Sequence, residues 1–509
     1  MIIKLYFLYI CAKICLVKHL YERGRVTMST AKLIGRKAEC ARLERCLSAN
    51  EAQLIVVYGR RRVGKTYLIN QFFDNHFDFK ITGAFEQPRI SQLRHFSAEL
   101  ERQTGVTQDV PDDWTKAFQL LRNYLEQLPQ NQKHIVFIDE LPWLDTHRSG
   151  FLPAFEWFWN DWGCTQDNLV LIVCGSATAW MTDKIANNKG GLFSRQTCKI
   201  FLEPFTLAET EVYLQSRGID WARYDITECY MIMGGIPYYL ALLSPELSCS
   251  QNIDELFFRK RAELGDEFFH LYRTLFSNSE RYIQIVEALN KRKGGLSLKE
   301  IARETGLPAN GDLSGMVSNL LNSGFIRKTV PFGHKNRDSI YQLSDYYTMF
   351  YLRFLHGRTG QDEHFWTNML DHPSRRSWAG LTFEQVCRDH IAQIKYRLGI
   401  SGILTSESSW ACAPVTDDEK SKGAQIDLLI ERRDRVINIC EIKHSINEYE
   451  IDKEYERTLR DKIDAFRRET GTKNTLQLTM ITTYGVRKNK YSGLISNQIT
   501  LEDLFTEKV

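Results

Sequence analysis

The sequence predicts an α/β chain built on a parallel sheet, and three segments predict it. An apolar, β-branched run, Leu54-Ile55-Val56-Val57-Tyr58, leads through Gly59-Arg60-Arg61-Arg62-Val63-Gly64-Lys65-Thr66 into a breaker-free stretch from Tyr67 to Phe73. A second apolar run, Ile135 to Ile138, ends in Asp139 and Glu140, and a third, Leu169 to Cys174, ends in Gly175-Ser176. Continuous apolar runs are what strands buried on both faces require, and that burial is typical of parallel sheets.

The first segment is a strand, a glycine loop and a helix in that order. Gly59 to Thr66 fits G-x-x-x-x-G-K-[ST], the phosphate loop. Backbone N–H groups at a helix N-terminus face an anion, and the helix dipole favours negative charge there. Gly59 and Gly64 allow close backbone approach to phosphate. The loop from Gly59 through Val63 to Tyr67 is therefore the predicted nucleotide cradle, an ATP site of the P-loop NTPase class. Lys65 would reach the β/γ-phosphates, and the Thr66 hydroxyl would bind Mg²⁺. Arg60, Arg61 and Arg62 either add positive potential to the phosphates or form a solvated basic stretch.

Asp139 and Glu140 lie where a parallel strand delivers its C-terminal end to a ligand crevice. Asp139 would hold Mg²⁺, directly or through water. Glu140 would orient and deprotonate the attacking water. Ser176, after the third strand, would touch the γ-phosphate or the water, or is a simple turn serine.

Further motifs converge on these. Leu33-Ile34-Gly35-Arg36-Lys37-Ala38-Glu39 precedes the loop, and Met233-Gly234-Gly235-Ile236-Pro237 follows on a helical lid. Together with Gly59–Thr66 and Asp139-Glu140 they resemble the AAA-like and STAND-related P-loop ATPases of bacteria and archaea that carry a C-terminal nuclease-like domain, over residues 30–509. That resemblance implies that Gly35, Arg36 and Pro237 line the adenine; a helix kink is the other reading of Pro237. It also makes Gly190-Gly191-Leu192-Phe193-Ser194-Arg195 the loop that presents an arginine to a neighbouring nucleotide. Arg195 as such a finger implies a homo-oligomer; an ordinary surface arginine is the alternative.

Thr206 opens a helical lid that runs to residue 275. Residues 276–355 have a winged-helix rhythm: Arg281–Lys291, a helix capped by Ser297 with Glu300 three residues on, Asp312–Leu321, then two strands around Gly333–Arg337. The third helix offers Ser314, Ser318 and Asn319 but no cation. The wing offers Arg327, Lys328, Lys335 and Arg337, which suits phosphate better than base edges, so DNA is a candidate partner; a structural or protein-contacting winged helix is the alternative. Tyr341 to Phe354 reads as a buried aromatic helix, with a base-stacking platform as the alternative.

A second constellation lies in residues 356–509. Gln425 to Ile430 and Val436 to Lys443 read as strands about a charged turn, Glu431–Arg435. Glu441 and Lys443 are two apart and share a face, and a hairpin brings Asp427 beside Glu441. Two carboxylates there can hold a second divalent metal, and Lys443 can orient a water or stabilise developing charge. A solvated edge strand is the plainer reading. The spacing resembles the PD-(D/E)xK core, although Ile426 stands where that motif has proline. The resemblance implies a restriction-endonuclease-like α/β domain, with Glu384 of Gly380-Leu381-Thr382-Phe383-Glu384 completing the metal site. Lys453 to Arg468 reads as a solvated helix with local ion pairs, from which Lys462 or Arg467 could touch a phosphate backbone.

At 509 residues the chain needs several cores. A net charge of +3 excludes a global basic field, so nucleic-acid contacts must be local. The 12 cysteines are scattered without zinc-ligand spacing, which fits a reducing, cytoplasmic setting. Residues 1–20 are apolar but broken by Lys13, so residues 1–27 are poor as a membrane span or signal peptide. They read as an extension upstream of a start at Met28, and no stable membrane association is expected. The expected domains are 1–27 extension, 28–205 ATPase core, 206–275 lid, 276–355 winged helix and helical linker, and 356–509 nuclease-like domain. Two functions remain: an ATPase coupled to a nuclease-like domain acting on DNA, or a STAND-like switch whose C-terminal domain only binds a partner or nucleic acid. A transcription regulator is weaker, because its recognition helix lacks base-reading cations.

Overall fold

Five strands form the sheet that the apolar runs predict: β1 (Gln53–Tyr58), β2 (Phe79–Thr82), β3 (His134–Asp139), β4 (Leu169–Gly175) and β5 (Cys198–Phe201). Their order is β2-β3-β4-β1-β5, with every neighbouring pair parallel. Every residue of β4 is buried, as its unbroken apolar sequence demands. The computed structural model describes residues 33–186, 191–192, 195–358, 362–412 and 423–507. The expectations for residues 1–27 and for Gly190, Phe193 and Ser194 lie outside them.

The chain divides into two compact units. Residues up to Gly59 with Gly64–Leu202 form the first; Arg60–Val63 with the chain from Glu203 form the second. In the first, α1 (Lys37–Ser48) precedes β1 and α2 (Lys65–Phe72) follows the glycine loop. The helices α3 (Arg89–Thr104) and α4 (Trp114–Gln127) bury Leu93, Phe96, Trp114, Phe118 and Leu121 in one core with Val136, Ile138 and Leu171 of the sheet. Asp113 caps α4 by accepting from the Lys116 N–H at 2.9 Å.

The second unit starts with α5 (Leu207–Ser216), closed by a Thr206/Glu209 capping box, and α6 (Arg223–Met233). Gly234 and Gly235 then turn with φ of 67° and 63°. A Cβ on Gly235 would lie 2.2 Å from the Phe205 carbonyl oxygen, so only glycine fits. Pro237 begins the short helix Pro237–Leu240, where its missing N–H costs no hydrogen bond; it does not kink a longer one.

The winged-helix rhythm is realised as α7 (Ser279–Lys291), α8 (Leu298–Thr305), α9 (Gly311–Asn322) and an antiparallel hairpin, β6 (Ile326–Thr329) with β7 (Ile340–Leu343). The expected aromatic helix from Tyr341 is corrected. Tyr341 belongs to β7, and α10 begins only at Tyr346 and runs to Phe350, capped by Asp345. Its rings are core: Phe350 lies 5.1 Å from Trp366 and 5.3 Å from Phe354, centroid to centroid, so it is no base-stacking platform.

After α11 (Pro373–Asp389) comes a second sheet, β8 (Thr405–Cys412), β9 (Ala424–Arg432), β10 (Val436–Lys443), β11 (Thr475–Thr482) and β12 (Asn497–Thr500). It is ordered β12-β11-β10-β9-β8. The first three strands form an antiparallel meander, whereas β10, β11 and β12 run parallel, with α12 (Lys453–Thr470) between β10 and β11. Among the described residues no helix is long and apolar enough to cross a membrane.

Candidate functional site

At the carboxyl end of β1 the chain turns into the glycine loop. Gly59 has φ 147°, and a Cβ there would lie 2.4 Å from the Leu202 carbonyl oxygen, a backbone atom that cannot swing aside. Gly59→Ala should therefore destabilise the first unit by about 1–3 kcal/mol through overpacking, read as a lower unfolding temperature. An unchanged melt would show that the loop relaxes freely. Gly64, with φ 90°, starts α2. Lys65 is buried and its ammonium donates to the Gly59 carbonyl at 3.1 Å, across the loop.

The Thr66 hydroxyl donates to Asp139 Oδ2 at 2.8 Å. A hydroxyl from the first turn of α2 and a carboxylate at the end of β3 are the hard oxygen donors that Mg²⁺ takes, so these residues fit that ion. Bound there, it would neutralise phosphate charge. Glu140 follows in left-handed backbone, φ 45°, and its N–H donates to Asp139 Oδ1 at 3.0 Å. Its own Oε2 accepts from the Ser176 hydroxyl at 2.8 Å and from the Ser176 N–H at 3.1 Å. Ser176 thus aims Glu140, a role the sequence reading did not give it.

The loop arginines differ from expectation. The Arg60 guanidinium is buried, ion-paired with Asp345, and lies 5.0 Å from the Phe325 ring centroid. Arg62 pairs with Glu267 at 2.5 Å and lies over the Tyr238 ring at 4.1 Å. These two side chains spend their charge on carboxylates, which corrects the expectation that they add potential to phosphate; Arg61 is half-buried. Tyr67 is exposed at 54%. Gly35 and Arg36 both have left-handed backbone ahead of α1, and Arg36 is buried. Arg195 is exposed, its N–H donating to the Leu192 carbonyl at 3.1 Å.

In the second unit the β9–β10 register pairs Leu428 with Cys440, which sets Asp427 and Glu441 at the next step. Asp427, Glu441, Lys443 and Glu384 line one cavity of about 1370 Å³. Glu441 is buried and fully engaged. It accepts from the Tyr455 hydroxyl at 2.6 Å and from Lys462 at 2.8 Å, and pairs with Lys443 at 3.0 Å. Burial opposes its ionisation, but Lys462 and Lys443 outweigh it and hold the carboxyl below its ordinary value. Among the described residues no three His, Cys, Asp or Glu side chains are grouped to hold a metal. The expected set of Glu384, Asp427 and Glu441 does not form such a group, and the Glu441 oxygens are engaged by Tyr455 and Lys462 of α12 and by Lys443 of β10. Tyr455 was missed in sequence, and Lys462 was read as a phosphate contact and not as a partner of Glu441. Tyr455 and Lys462 stand seven residues apart, two turns on one helix face, which was the available signal. Arg388, one turn after Glu384 on α11, was missed too; it donates to the Asp427 carbonyl.

Glu384 shows the opposite electrostatics. Burial first, then the Asp427 carboxylate, push it from its ordinary 4.5 up to about 8. A carboxyl raised on folding binds more protons in the native state, so stability falls as pH climbs from 4.5 to about 8 and is then level. In chelator, Glu384→Gln should remove this slope. Its melting temperature should exceed the natural chain's above pH 8 and approach it below 4.5. A constant difference across that range would show that Glu384 is charged throughout.

Residues 33–243 match a family model described as an ATPase domain predominantly from Archaea, and residues 280–329 match the IclR helix-turn-helix domain. An uncharacterized protein of Methanocaldococcus jannaschii is 24% identical over 367 residues, 71% of this chain and 77% of that protein. An uncharacterized ATP-binding protein of the same organism is 55% identical over 42 residues, 8% of this chain and 71% of that protein. Among solved structures, the Walker-type ATPase of Pyrococcus abyssi is similar at 18% identity and TM-score 0.45, covering 65% of this chain and 98% of that one. Residues 33–243 are thus an ATPase domain of the P-loop type, similar to one found predominantly in Archaea.

Proposed function

We propose that the chain is a Mg²⁺-dependent ATPase whose nucleotide state controls a C-terminal nuclease-like domain acting on DNA. Residues 28–205 are then the ATPase core, 206–275 the lid, 276–355 the winged helix and linker, and 356–509 the nuclease-like domain. Lys65 binds the β/γ-phosphates, Thr66 and Asp139 hold the ion, and Glu140 is the base. An exposed Arg195 suits a finger offered to a neighbouring copy in a homo-oligomer.

The observation that carries the C-terminal half is the arrangement of its sheet. A helix, an antiparallel three-strand meander, a helix and a parallel strand follow one another. Asp427 and Glu441 sit on adjacent strands of the meander, with Lys443 two residues on. This supports the restriction-endonuclease-like reading. The STAND-like switch is favoured by one observation: Glu441 is already neutralised by Lys443 and Lys462.

Plasmid and linear DNA, incubated with Mg²⁺ or Mn²⁺ and with or without ATP, separate the two. Cleavage lost in Glu441→Ala supports the nuclease. DNA left intact under every condition, with phosphate still released from ATP, supports the switch.

A further inference from the structure

The cavity at Asp427 and Glu441 has a second wall. It is made by the turn from α7 into α8 and by the β6–β7 hairpin, and it carries Arg292, Lys293, Lys299 and Arg337. All four are exposed. No residue of α9, the helix that would enter a major groove in a helix-turn-helix docking, lines the cavity. Its Asn319 is used internally, donating to the Tyr282 hydroxyl at 2.9 Å, and its exposed polar side chains are Asp312, Ser314 and Ser318, none of them a cation. On the wing, Arg327 is paired with Asp389. The winged helix therefore presents four exposed cations to the carboxylate site, while Lys328 and Lys335 lie exposed outside it and the nominal reading helix presents no cation.

We infer that this cavity takes one strand of nucleic acid, gripped at its phosphates by Arg292, Lys293, Lys299 and Arg337 and delivered to Asp427, Glu441 and Lys443. The inference rests on the nucleic-acid reading above and names its substrate and its grip.

Charge supports it. The acids on the same wall, Glu300 and Asp338, are committed to local caps. Glu300 accepts from the Ser297 N–H at 2.8 Å and Asp338 from the Lys335 N–H at 3.2 Å. The nearest partners of Arg292 and Arg337 are exposed carboxylates at 3.7 and 3.8 Å, and such surface pairs exchange readily for phosphate. Size supports it as well. A volume of about 1370 Å³ only modestly exceeds the roughly 300–1,000 Å³ of small-ligand pockets. It takes a few nucleotides of one strand and not a turn of duplex. Trp378 and Trp410 line the same cavity and lend it apolar surface among the charges.

The test uses the full chain and a fluorescein-labelled single-stranded oligonucleotide, with anisotropy read across a salt series. A duplex of the same sequence is the competitor. The variants are Arg292→Ala/Lys293→Ala/Lys299→Ala together and Ser314→Glu/Ser318→Glu together, each first shown to melt as the natural chain does. We expect the triple variant to bind at least about tenfold more weakly, and its slope of log affinity on log salt to fall by about two, as removal of three contacts to single-strand phosphates requires. The α9 variant should bind unchanged. Loss in the α9 variant with the triple variant unaffected overturns the inference but leaves the proposed function standing. Preference for duplex over strand overturns it likewise. A natural chain that binds neither nucleic acid, even at low salt, overturns this inference and the nucleic-acid reading together, and leaves a protein as the partner.

Discussion

Glu140→Gln is expected to bind ATP with Mg²⁺ as the natural chain does and to turn it over about 10²–10⁴-fold more slowly, the usual contribution of a positioned general base. The substitution keeps the shape of the side chain and an oxygen that can still accept from the Ser176 hydroxyl. It removes only the capacity to take a proton. Ser176→Ala should give a smaller loss, because the Ser176 N–H, 3.1 Å from the carboxylate, remains to aim it. Lys65→Ala should fail earlier, at binding, since the buried ammonium is the cation built into the loop. Phosphate release and the binding of a fluorescent ATP analogue, measured side by side, separate these outcomes. Undiminished turnover in Glu140→Gln would remove Glu140 from the chemistry.

Arg60→Ala should be the most destabilising single change, at about 3–5 kcal/mol, the range for breaking one side of a buried ion pair. Asp345 is 2% exposed and would be left charged in an apolar site. It cannot simply relax, because its other oxygen caps α10, accepting from the Thr348 N–H at 2.9 Å and hydroxyl at 2.6 Å. Replacing both partners, as Arg60→Met/Asp345→Asn, should cost less than Arg60→Ala alone, because no lone buried charge remains. Urea unfolding of the natural chain and the two variants reads this directly. A double variant less stable than Arg60→Ala would show that the pair contributes more than it costs to bury.

Features whose chemistry fixes residue types at short spacing were legible in the sequence. Gly59 to Thr66, the Thr206/Glu209 and Ser297/Glu300 boxes, and the Asp427–Glu441 hairpin each depend on neighbours a few residues away or on the two-residue period of a strand. What escaped was the choice of partner across the fold. Arg60 finds Asp345 285 positions along the chain, and nothing about a loop arginine tells that carboxylate from the other acids. Glu441 was legible as a site carboxylate, but Lys462 and Tyr455 reach it from a helix that reads as solvated, with Lys462 turned to phosphate and not to a carboxylate. The aromatic run was misread for a different reason: Tyr341 and Tyr346 suit strand and helix equally, and only the pairing of Tyr341 with Lys328 in the hairpin decides.

The chain crosses between its units at Gly59–Arg60 and again at Val63–Gly64, before the long return at Leu202–Glu203. This bears on any attempt to dissect the protein by truncation. A fragment ending at Leu202 keeps Arg60 and Arg62 but deletes the carboxylates that neutralise them. The complementary fragment keeps Asp345 and Glu267 as buried acids without their cations. Neither piece is a faithful half, and inactivity in either would say little about where activity resides. Point substitutions in the whole chain are the sound way to divide its labour.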